Sequence, residues 1–211
     1  MRTAVVSLYH QNYQSLHDLV LPNWREYTAR HGYGLHVHCG EMGPGAIGFQ
    51  KMRFLYDLMF VRREVDLALV VDLDLIFTNL TRRVEEFTDF SADYFVTKDT
   101  NGINNGSFII RASAASHWLL SHMIEAHKTL TNEQDVLKIN EPGLLRQGLI
   151  TIVPHPAFNS LEYALYPEWG DPSVIPGQWQ RGHFILHMPG CSLAQRLEML
   201  SSAEIQGAIV R

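Results

Sequence analysis

Residues 66–77 read DLALVVDLDLIF. The apolar run at 67–71 favours a strand buried on both faces, which is typical of a mostly parallel sheet. Asp72 and Asp74 follow two positions apart, so both carboxylates should point to one side, with Cα atoms roughly 6–7 Å apart. Two carboxylates beside so apolar a run are costly unless a cation neutralises them. Oxygen ligands suit Mg²⁺ or Mn²⁺. We therefore expect a divalent metal site, with two solvated carboxylates at a strand exit as the alternative.

Strand and helix patterns alternate on both sides of this stretch. Further strands are predicted at 3–9, 35–39, 94–97, 107–111 and 183–188. Helices are predicted at 16–31, 49–63, 116–128 and 132–140, with another after residue 190. This alternation predicts an α/β fold with a mostly parallel central sheet flanked by helices. Pro22 either kinks the first helix or marks its start, and the segments 41–48 and 154–177 are predicted to be loops.

The bulk composition excludes several classes of function. The 211 residues fit one domain, residues 1–211. A net charge of −5 argues against a nucleic-acid partner, which would require a basic surface. No stretch approaches the ~18 apolar residues of a membrane span, and Cys39 and Cys191 are too few for a disulfide framework. We therefore expect no membrane segment in this chain and a reducing compartment, the cytoplasm.

Other polar residues near the predicted strand ends could join the metal site. His187 precedes a Pro-Gly turn, and a neutral imidazole there would complete the shell of the ion and favour Mn²⁺ over Mg²⁺. The alternative is an ordinary half-buried strand histidine. The amides of Asn104 and Asn105 could bind sugar hydroxyls, although Gly-Ile-Asn-Asn-Gly is equally good turn sequence. Gly190 would let the backbone approach a phosphate, or it is simply a turn residue.

Four segments, taken in order, resemble the GT-A-fold glycosyltransferases. They are VVDLDLIFTN at 70–79, Asn104-Asn105-Gly106 followed by SFIIR, NEQDVL at 132–137, and HMPGC at 187–191. The pattern is most similar to the retaining galactosyl- and xylosyltransferase family. This resemblance implies a GT-A-type, Rossmann-like nucleotide-diphosphosugar transferase fold. It also implies that residues 1–100 mainly bind nucleotide and metal, whereas 101–211 mainly bind sugar and acceptor.

The resemblance further implies a role for each candidate residue. A Mn²⁺ or Mg²⁺ ion would be held by Asp72, Asp74 and His187. A UDP-sugar donor would be bound by Tyr9, His10, Lys51 (or Arg53 in its place), Asp72, Asn104, Asn105 and Gly190. Gln134, Glu133 and Asp135 would lie beside the reacting carbon, although acidic residues at a helix start are favoured by the helix dipole anyway. The implied acceptor is a glycan or glycoprotein, and a likeness to viral glycosyltransferase domains implies capsid-protein glycosylation in a host cytoplasm as a candidate role.

The sequence also departs from this family and leaves other functions open. The residues after Cys191, SLAQR, lack the basic residue that often binds the diphosphate there, so Lys51 or another cation must compensate. A sugar-1-phosphate nucleotidylyltransferase would need a glycine-rich loop after the first strand, where this chain has LYHQNYQS. A non-catalytic glycan-binding module could use the aromatic residues of 158–179 as its platform. Four aromatic residues could instead form a sugar-stacking acceptor wall or simply pack an irregular segment, namely Tyr163, Tyr166, Trp169 and Trp179. A metal-dependent hydrolase lacks its H-E-x-x-H motif.

Overall fold

The computed structural model describes residues 1–40, 47–89, 91–99, 101–154, 157–162 and 177–211. The strands are β1 (Thr3–His10), β2 (Gly34–Gly40), β3 (Leu67–Val71), β4 (Leu75–Phe77), β5 (Tyr94–Asp99), β6 (Gly102–Arg111), β7 (Ile150–Ile152), β8 (Ser160–Leu161) and β9 (Ile185–His187). The α-helices are α1 (Gln14–His31), α2 (Ile47–Tyr56), α3 (Ala114–Glu125), α4 (Glu133–Arg146), α5 (Leu193–Ser201) and α6 (Ala203–Ala208). This order of elements confirms the predicted α/β class.

The larger sheet has six strands in the order β2-β1-β3-β6-β5-β7. β1 runs parallel to β2 and β3, and β5 runs parallel to β7. β6 is antiparallel to both of its neighbours, β3 and β5. The prediction of a mostly parallel sheet is therefore confirmed, with one reversed strand in its middle.

The predicted strand at 66–77 is in fact two strands in two sheets. β3 ends at Val71, and β4 begins at Leu75 in a three-stranded sheet ordered β4-β9-β8. Asp72 and Asp74 lie in the turn between them rather than at the end of one strand. The apolar pattern is continuous because both strands are fully buried, so it gives no sign of the change of sheet.

Both faces of the larger sheet are covered, as the apolar run of β3 predicts. Leu67, Leu69 and Val71 pack into the core that also contains residues of α1, α5 and α6. Ala68 and Val70 point the other way, into the core formed with α2, α3 and α4. Alternate residues of one strand therefore hold two helical layers against one sheet.

The helices agree with their predicted positions but differ at their ends. α1 contains Pro22 in its interior, so this proline does not mark the helix start, and Gly32 ends the helix with φ 68°. That left-handed conformation suits glycine. α2 begins at Ile47 and continues into a π-helical segment at Asp57–Val61. Within the described parts of the chain, no helix is both long and apolar enough to cross a membrane.

Three segments were predicted to be turns or loops. Asn104, Asn105 and Gly106 lie inside β6, so the turn interpretation of these residues was wrong. β6 is long enough to include them because its pairing with β5 shifts register after Val96 and continues to Gly102. The predicted loop at 154–177 falls largely on residues outside those described, as does most of the loop at 41–48.

Candidate active site

Asp72, Asp74 and His187 meet where the two sheets join. One ligand atom from each lies within 4.8 Å of the others. Backbone pairing places them: the N–H of Asp72 donates to the carbonyl of Gly106 at 2.7 Å, and the N–H of Met188 donates to the carbonyl of Asp74 at 2.9 Å. The metal-ligand cluster predicted from the sequence is therefore assembled by hydrogen bonds at the ends of β3 and β9.

The orientation of His187 suits metal binding. Its Nδ1 lies 2.6 Å from Asn159 Oδ1, and the Asn159 amide nitrogen donates to Thr97 Oγ1 at 2.8 Å. With the Asn159 carbonyl oxygen facing the ring, His187 donates through Nδ1–H, which leaves a lone pair on Nε2. That Nε2 faces Asp74 Oδ1 at 3.3 Å. A ring nitrogen and carboxylate oxygens this close together form a donor set that fits Mn²⁺ or Mg²⁺.

The ammonium of Lys51 is the counter-charge of the Asp72 carboxylate. Its ammonium donates to Asp72 Oδ1 at 2.6 Å and to the carbonyl of Asn105 at 3.2 Å, and lies 3.6 Å from Glu133 Oε1. Only 4% of the Lys51 side chain is exposed. Burial lowers the pKa of this ammonium, but the carboxylates of Asp72 and Glu133 outweigh burial and hold the pKa above its ordinary value. Lys51 is therefore a charged residue with three acceptors around it.

The guanidinium of Arg196 is the counter-charge of the Asp74 carboxylate. Its Nη2 lies 2.7 Å from Asp74 Oδ2, and its Nε donates to the carbonyl of Met188 at 3.2 Å. Ser192 caps α5, so the first turn of this helix carries Arg196 back towards the strand end. Arg196 is the final residue of the SLAQR segment after Cys191. The expectation that this segment lacks a basic residue at the site was therefore wrong, because Arg196 reaches Asp74 from the first turn of α5.

Three cavities open around this cluster, and Asp72 lines all of them. The Lys51 cavity, of about 250 Å³, is also lined by Lys51, Asn105, Gly106, Glu133 and Gln134. The Tyr9 cavity, of about 200 Å³, is also lined by Tyr9, His10, Tyr13, Asp74 and Arg196. The Gly190 cavity, of about 210 Å³, is also lined by Asp99, Asn104, Gln134, His187 and Gly190.

These cavities bring together most of the residues that the sequence singled out. Asp135 and Arg53 are exceptions, because neither lines any of the three cavities. Arg53, the alternative to Lys51, instead has its Nη2 3.2 Å from His127 Nε2. Asn104 binds Asp99 through its amide nitrogen at 2.7 Å and accepts the Gly106 N–H at 2.9 Å. The side-chain amide oxygen of Asn105 instead accepts a hydrogen bond from the hydroxyl of Tyr94. Among the described residues, its buried amide nitrogen has no partner.

The predicted catalytic residues begin α4, where Asn132 caps the helix. Glu133 packs directly on Gly48, where a Cβ would lie 1.7 Å from its carboxylate oxygen. Gln134 Oε1 accepts the backbone N–H of Asn105 at 3.3 Å. Both side chains therefore face the Lys51 cavity, and the glycine of α2 makes the room that Glu133 occupies.

The sequence did not indicate every residue of the site. Asn159 and Tyr13 were missed, since neither belongs to a recognisable pattern. Trp179, proposed for an acceptor-binding wall, is 8% exposed and donates to Thr78 Oγ1 at 3.1 Å, so its role is packing. The other members of that wall, Tyr163, Tyr166 and Trp169, lie outside the described residues.

Comparison with solved structures shows a glycosyltransferase fold. A glycosyltransferase involved in the glycosylation of the major capsid of PBCV-1 superposes with a TM-score of 0.72 at 17% identity, covering 93% of this chain and 98% of that chain. Mouse xyloside xylosyltransferase 1 gives a TM-score of 0.52 at 11% identity, covering 90% of this chain and 98% of that chain. The predicted GT-A-type fold is thereby confirmed.

Sequence comparison shows the family. An uncharacterized α-1,2-galactosyltransferase of Schizosaccharomyces pombe is 22% identical over 223 residues, covering 83% of this chain. This chain spans only 56% of the length of that relative. The model of the galactosyl transferase GMA12/MNN10 family matches residues 55–198, a range that includes Asp72, Asp74, His187 and Arg196. The chain therefore belongs to the galactosyl transferase GMA12/MNN10 family.

Proposed function

We propose that this chain is a metal-dependent glycosyltransferase that moves a hexose-type sugar from a UDP-sugar to a glycan or glycoprotein acceptor. The observation that carries this proposal is the Asp72–Asp74–His187 cluster at the junction of three cavities. Membership of a galactosyl transferase family supports the reaction class.

Asp72, Asp74 and His187 would hold Mn²⁺ or Mg²⁺, which supplies Lewis-acid stabilisation of the leaving diphosphate when bound. Asn159 orients His187 for this purpose through its 2.6 Å hydrogen bond. Lys51 holds the Asp72 carboxylate in place through a 2.6 Å contact with its ammonium, and this charge opposes the burial that raises the pKa of Asp72. The ligand set is therefore held in position by protein contacts before a donor arrives.

The cavities suit three parts of the reaction. The Tyr9 cavity, with aromatic Tyr9 and Tyr13 and cationic Arg196, suits the nucleoside and its phosphates. The Lys51 cavity is polar and of hexose-like size, so we assign the donor sugar to it. The Gly190 cavity opens beside His187 and would admit the acceptor, whereas a phosphate contact by Gly190 stays a prediction.

Glu133 and Gln134 would act on the sugar itself. Glycosyl transfer develops positive charge at the anomeric carbon, as in glycoside hydrolysis. Oxygen atoms of Glu133 and Gln134 line the cavity assigned to that sugar and would stabilise this charge. Retention of configuration follows from the family likeness and stays a prediction. Cytoplasmic location and capsid-protein glycosylation also stay predictions.

The test is calorimetric titration of UDP into the protein with and without Mn²⁺, repeated on Asp74→Asn. We expect tight binding only with Mn²⁺ and intact Asp74, because the carboxylate links the ion to the protein. Asp89→Asn is the matched control, since Asp89 is an exposed aspartate whose carboxylate accepts from Ser91. Metal-independent binding, or equal binding by Asp74→Asn, would contradict the proposal. A screen of UDP-sugars and glycan acceptors then identifies the product.

A further inference from the structure

The ring of Tyr9 is supported from outside the Tyr9 cavity by the start of α1. His17 stacks on it with ring centroids 4.5 Å apart and planes 10° from parallel. Tyr9 lines the cavity, whereas His17 does not. Only 14% of the His17 side chain is exposed. His17 therefore covers the ring face of Tyr9 that is turned away from the cavity.

The carboxylate of Asp18 anchors this support. The amide nitrogen of Gln14 donates to Asp18 Oδ1 at 2.8 Å, and His17 Nδ1 lies 3.0 Å from the same oxygen. These hydrogen bonds from His17 and Gln14 hold the pKa of Asp18 below its ordinary value, and an ionised carboxylate can only accept. The amide oxygen of Gln14 in turn accepts the Tyr9 hydroxyl at 3.0 Å. One carboxylate therefore holds both the ring behind Tyr9 and the amide that binds its hydroxyl.

Helical spacing explains why these three side chains meet. Gln14, His17 and Asp18 are separated by three and four positions, so they share one face of α1. The 3₁₀ turn at Gln11–Tyr13 joins β1 to α1 and leaves that face beside the end of β1. The bracket formed by Gln14, His17 and Asp18 is therefore built from a short local stretch of sequence.

We infer that His17 is a positioning residue for the nucleoside of the donor, because it holds the Tyr9 ring as a flat surface on which the base stacks. This inference rests on the proposed function, which assigns the nucleoside to the Tyr9 cavity. Any base can stack on an aromatic face, and a ring that is already held in place loses less freedom when the base arrives. His17 lies behind that ring, so its effect is confined to the nucleoside part of the ligand.

Tyr9, rather than Tyr13, is the tyrosine held for this role. Tyr13 also lines the cavity, but it is 39% exposed, and the guanidinium of Arg196 is 6.0 Å from the centre of its ring. That contact is looser than the 4.5 Å stack of His17 on Tyr9. The better-fixed ring is the one whose orientation is set before a ligand binds.

The test separates the nucleoside from the phosphates. UDP and inorganic pyrophosphate are each titrated, at saturating Mn²⁺, into wild type, His17→Ala and His17→Phe. We expect His17→Ala to bind UDP roughly fivefold to tenfold more weakly, a part of what base stacking contributes, and to bind pyrophosphate as wild type does. His17→Phe should recover most of the UDP affinity, because a phenyl ring can still stack on Tyr9. His122→Ala is the matched control, since it removes a histidine that stacks on Trp118 outside the three cavities.

A loss for UDP alone is the expected signature, since a change in overall folding would weaken both ligands. Unchanged UDP binding by His17→Ala, an equal loss for pyrophosphate, or His17→Phe as weak as His17→Ala would overturn the inference. If His17→Ala does not fold, Asp18→Ala decides the question. It removes the anchor at a side chain that is 65% exposed, and it should weaken UDP but not pyrophosphate.

The wild type alone distinguishes this inference from the proposed function. Equal affinities for UDP and pyrophosphate would overturn the nucleoside surface and leave the metal cluster standing. Binding of neither ligand would refute the proposed donor, and this inference with it.

Discussion

Gly106 lies against His187 so closely that a Cβ on the glycine would come 2.4 Å from Cε1 of the imidazole and 3.0 Å from Asp72 Oδ2. Asn159 holds the imidazole on its other side, so the ring has little freedom to yield. We expect Gly106→Ala to separate His187 from the two aspartates. Binding of UDP with Mn²⁺, measured by calorimetry, should weaken at least roughly tenfold, as for other disruptions of a metal-ligand shell.

Gly143→Ala is the control for that substitution. This glycine lies within α4, and a Cβ added to it would meet no atom of the described residues within 4 Å. Alanine should stabilise the helix by about 0.5–1 kcal/mol and leave nucleotide binding unchanged. Wild-type binding by Gly106→Ala would show that the close packing of the glycine is not required.

Asn159→Ala should weaken metal binding although it replaces none of the three proposed metal ligands. The substitution removes the acceptor that fixes Nδ1–H of His187, so the imidazole loses its preferred tautomer and orientation. Loss of such an orienting contact typically costs 10–100-fold in metal affinity. Asn140→Ala is a suitable comparison, because the Asn140 amide donates to the carbonyl of Val136 within its own helix. Equal Mn²⁺-dependent UDP binding by both variants would refute the role of Asn159.

Lys51→Met should destabilise the folded chain. The lysine and Glu133 are 4% and 10% exposed, so removing the ammonium leaves a nearly buried carboxylate unpaired. Breaking a buried ion pair from one side costs about 3–5 kcal/mol, and we expect the lower end because Asp72 is 40% exposed. The double variant Lys51→Met with Glu133→Gln should recover part of this loss in urea unfolding. If the losses of unfolding free energy of the two single variants simply add in the double variant, Lys51 and Glu133 are not coupled.

The carboxyl of Glu85, which lies outside the candidate active site, should make the stability of the fold depend on pH. Burial raises the pKa of Glu85, but hydrogen bonds from Tyr33 and Thr3 and the charge of Arg83 outweigh it, so its pKa lies below 4.5. A depressed pKa in the folded state stabilises the fold above pH 4.5, and this stabilisation is lost as the pH falls through the folded-state value. Thermal unfolding of Glu85→Gln between pH 6 and about pH 3 should therefore be less acid-sensitive than that of wild type. An identical pH profile would refute this contribution.

The sequence predicted the candidate metal ligands better than it predicted the strands that position them. Asp72 and Asp74 stood out because two carboxylates beside a buried apolar run need a cation. His187 was a candidate only together with that pair and the family resemblance. The break between β3 and β4 was not predictable, because buried strands of two different sheets have the same apolar pattern. Strand partners are decided by tertiary pairing, which periodicity does not encode.

The residues that orient or neutralise the ligands were harder to predict. Asn159 acts through a single contact with His187 across 28 positions of sequence, and no local pattern distinguishes it from a loop asparagine. Arg196 did carry a signal: Ser192 and Gln195 form a capping box, which fixes the helix start and hence the direction of position 196. The helix start would have indicated which basic residue faces the strand end.

The pairing of β4 with β9 also affects how this protein can diverge. Leu75 pairs with His187 in register, so two ligands more than a hundred residues apart are held by a few adjacent backbone hydrogen bonds. A slip of one residue would turn His187 to the opposite face. Insertions or deletions in the surface connections between these strands would leave the register intact. Changes of length in those connections can therefore accumulate without moving the proposed metal ligands relative to each other.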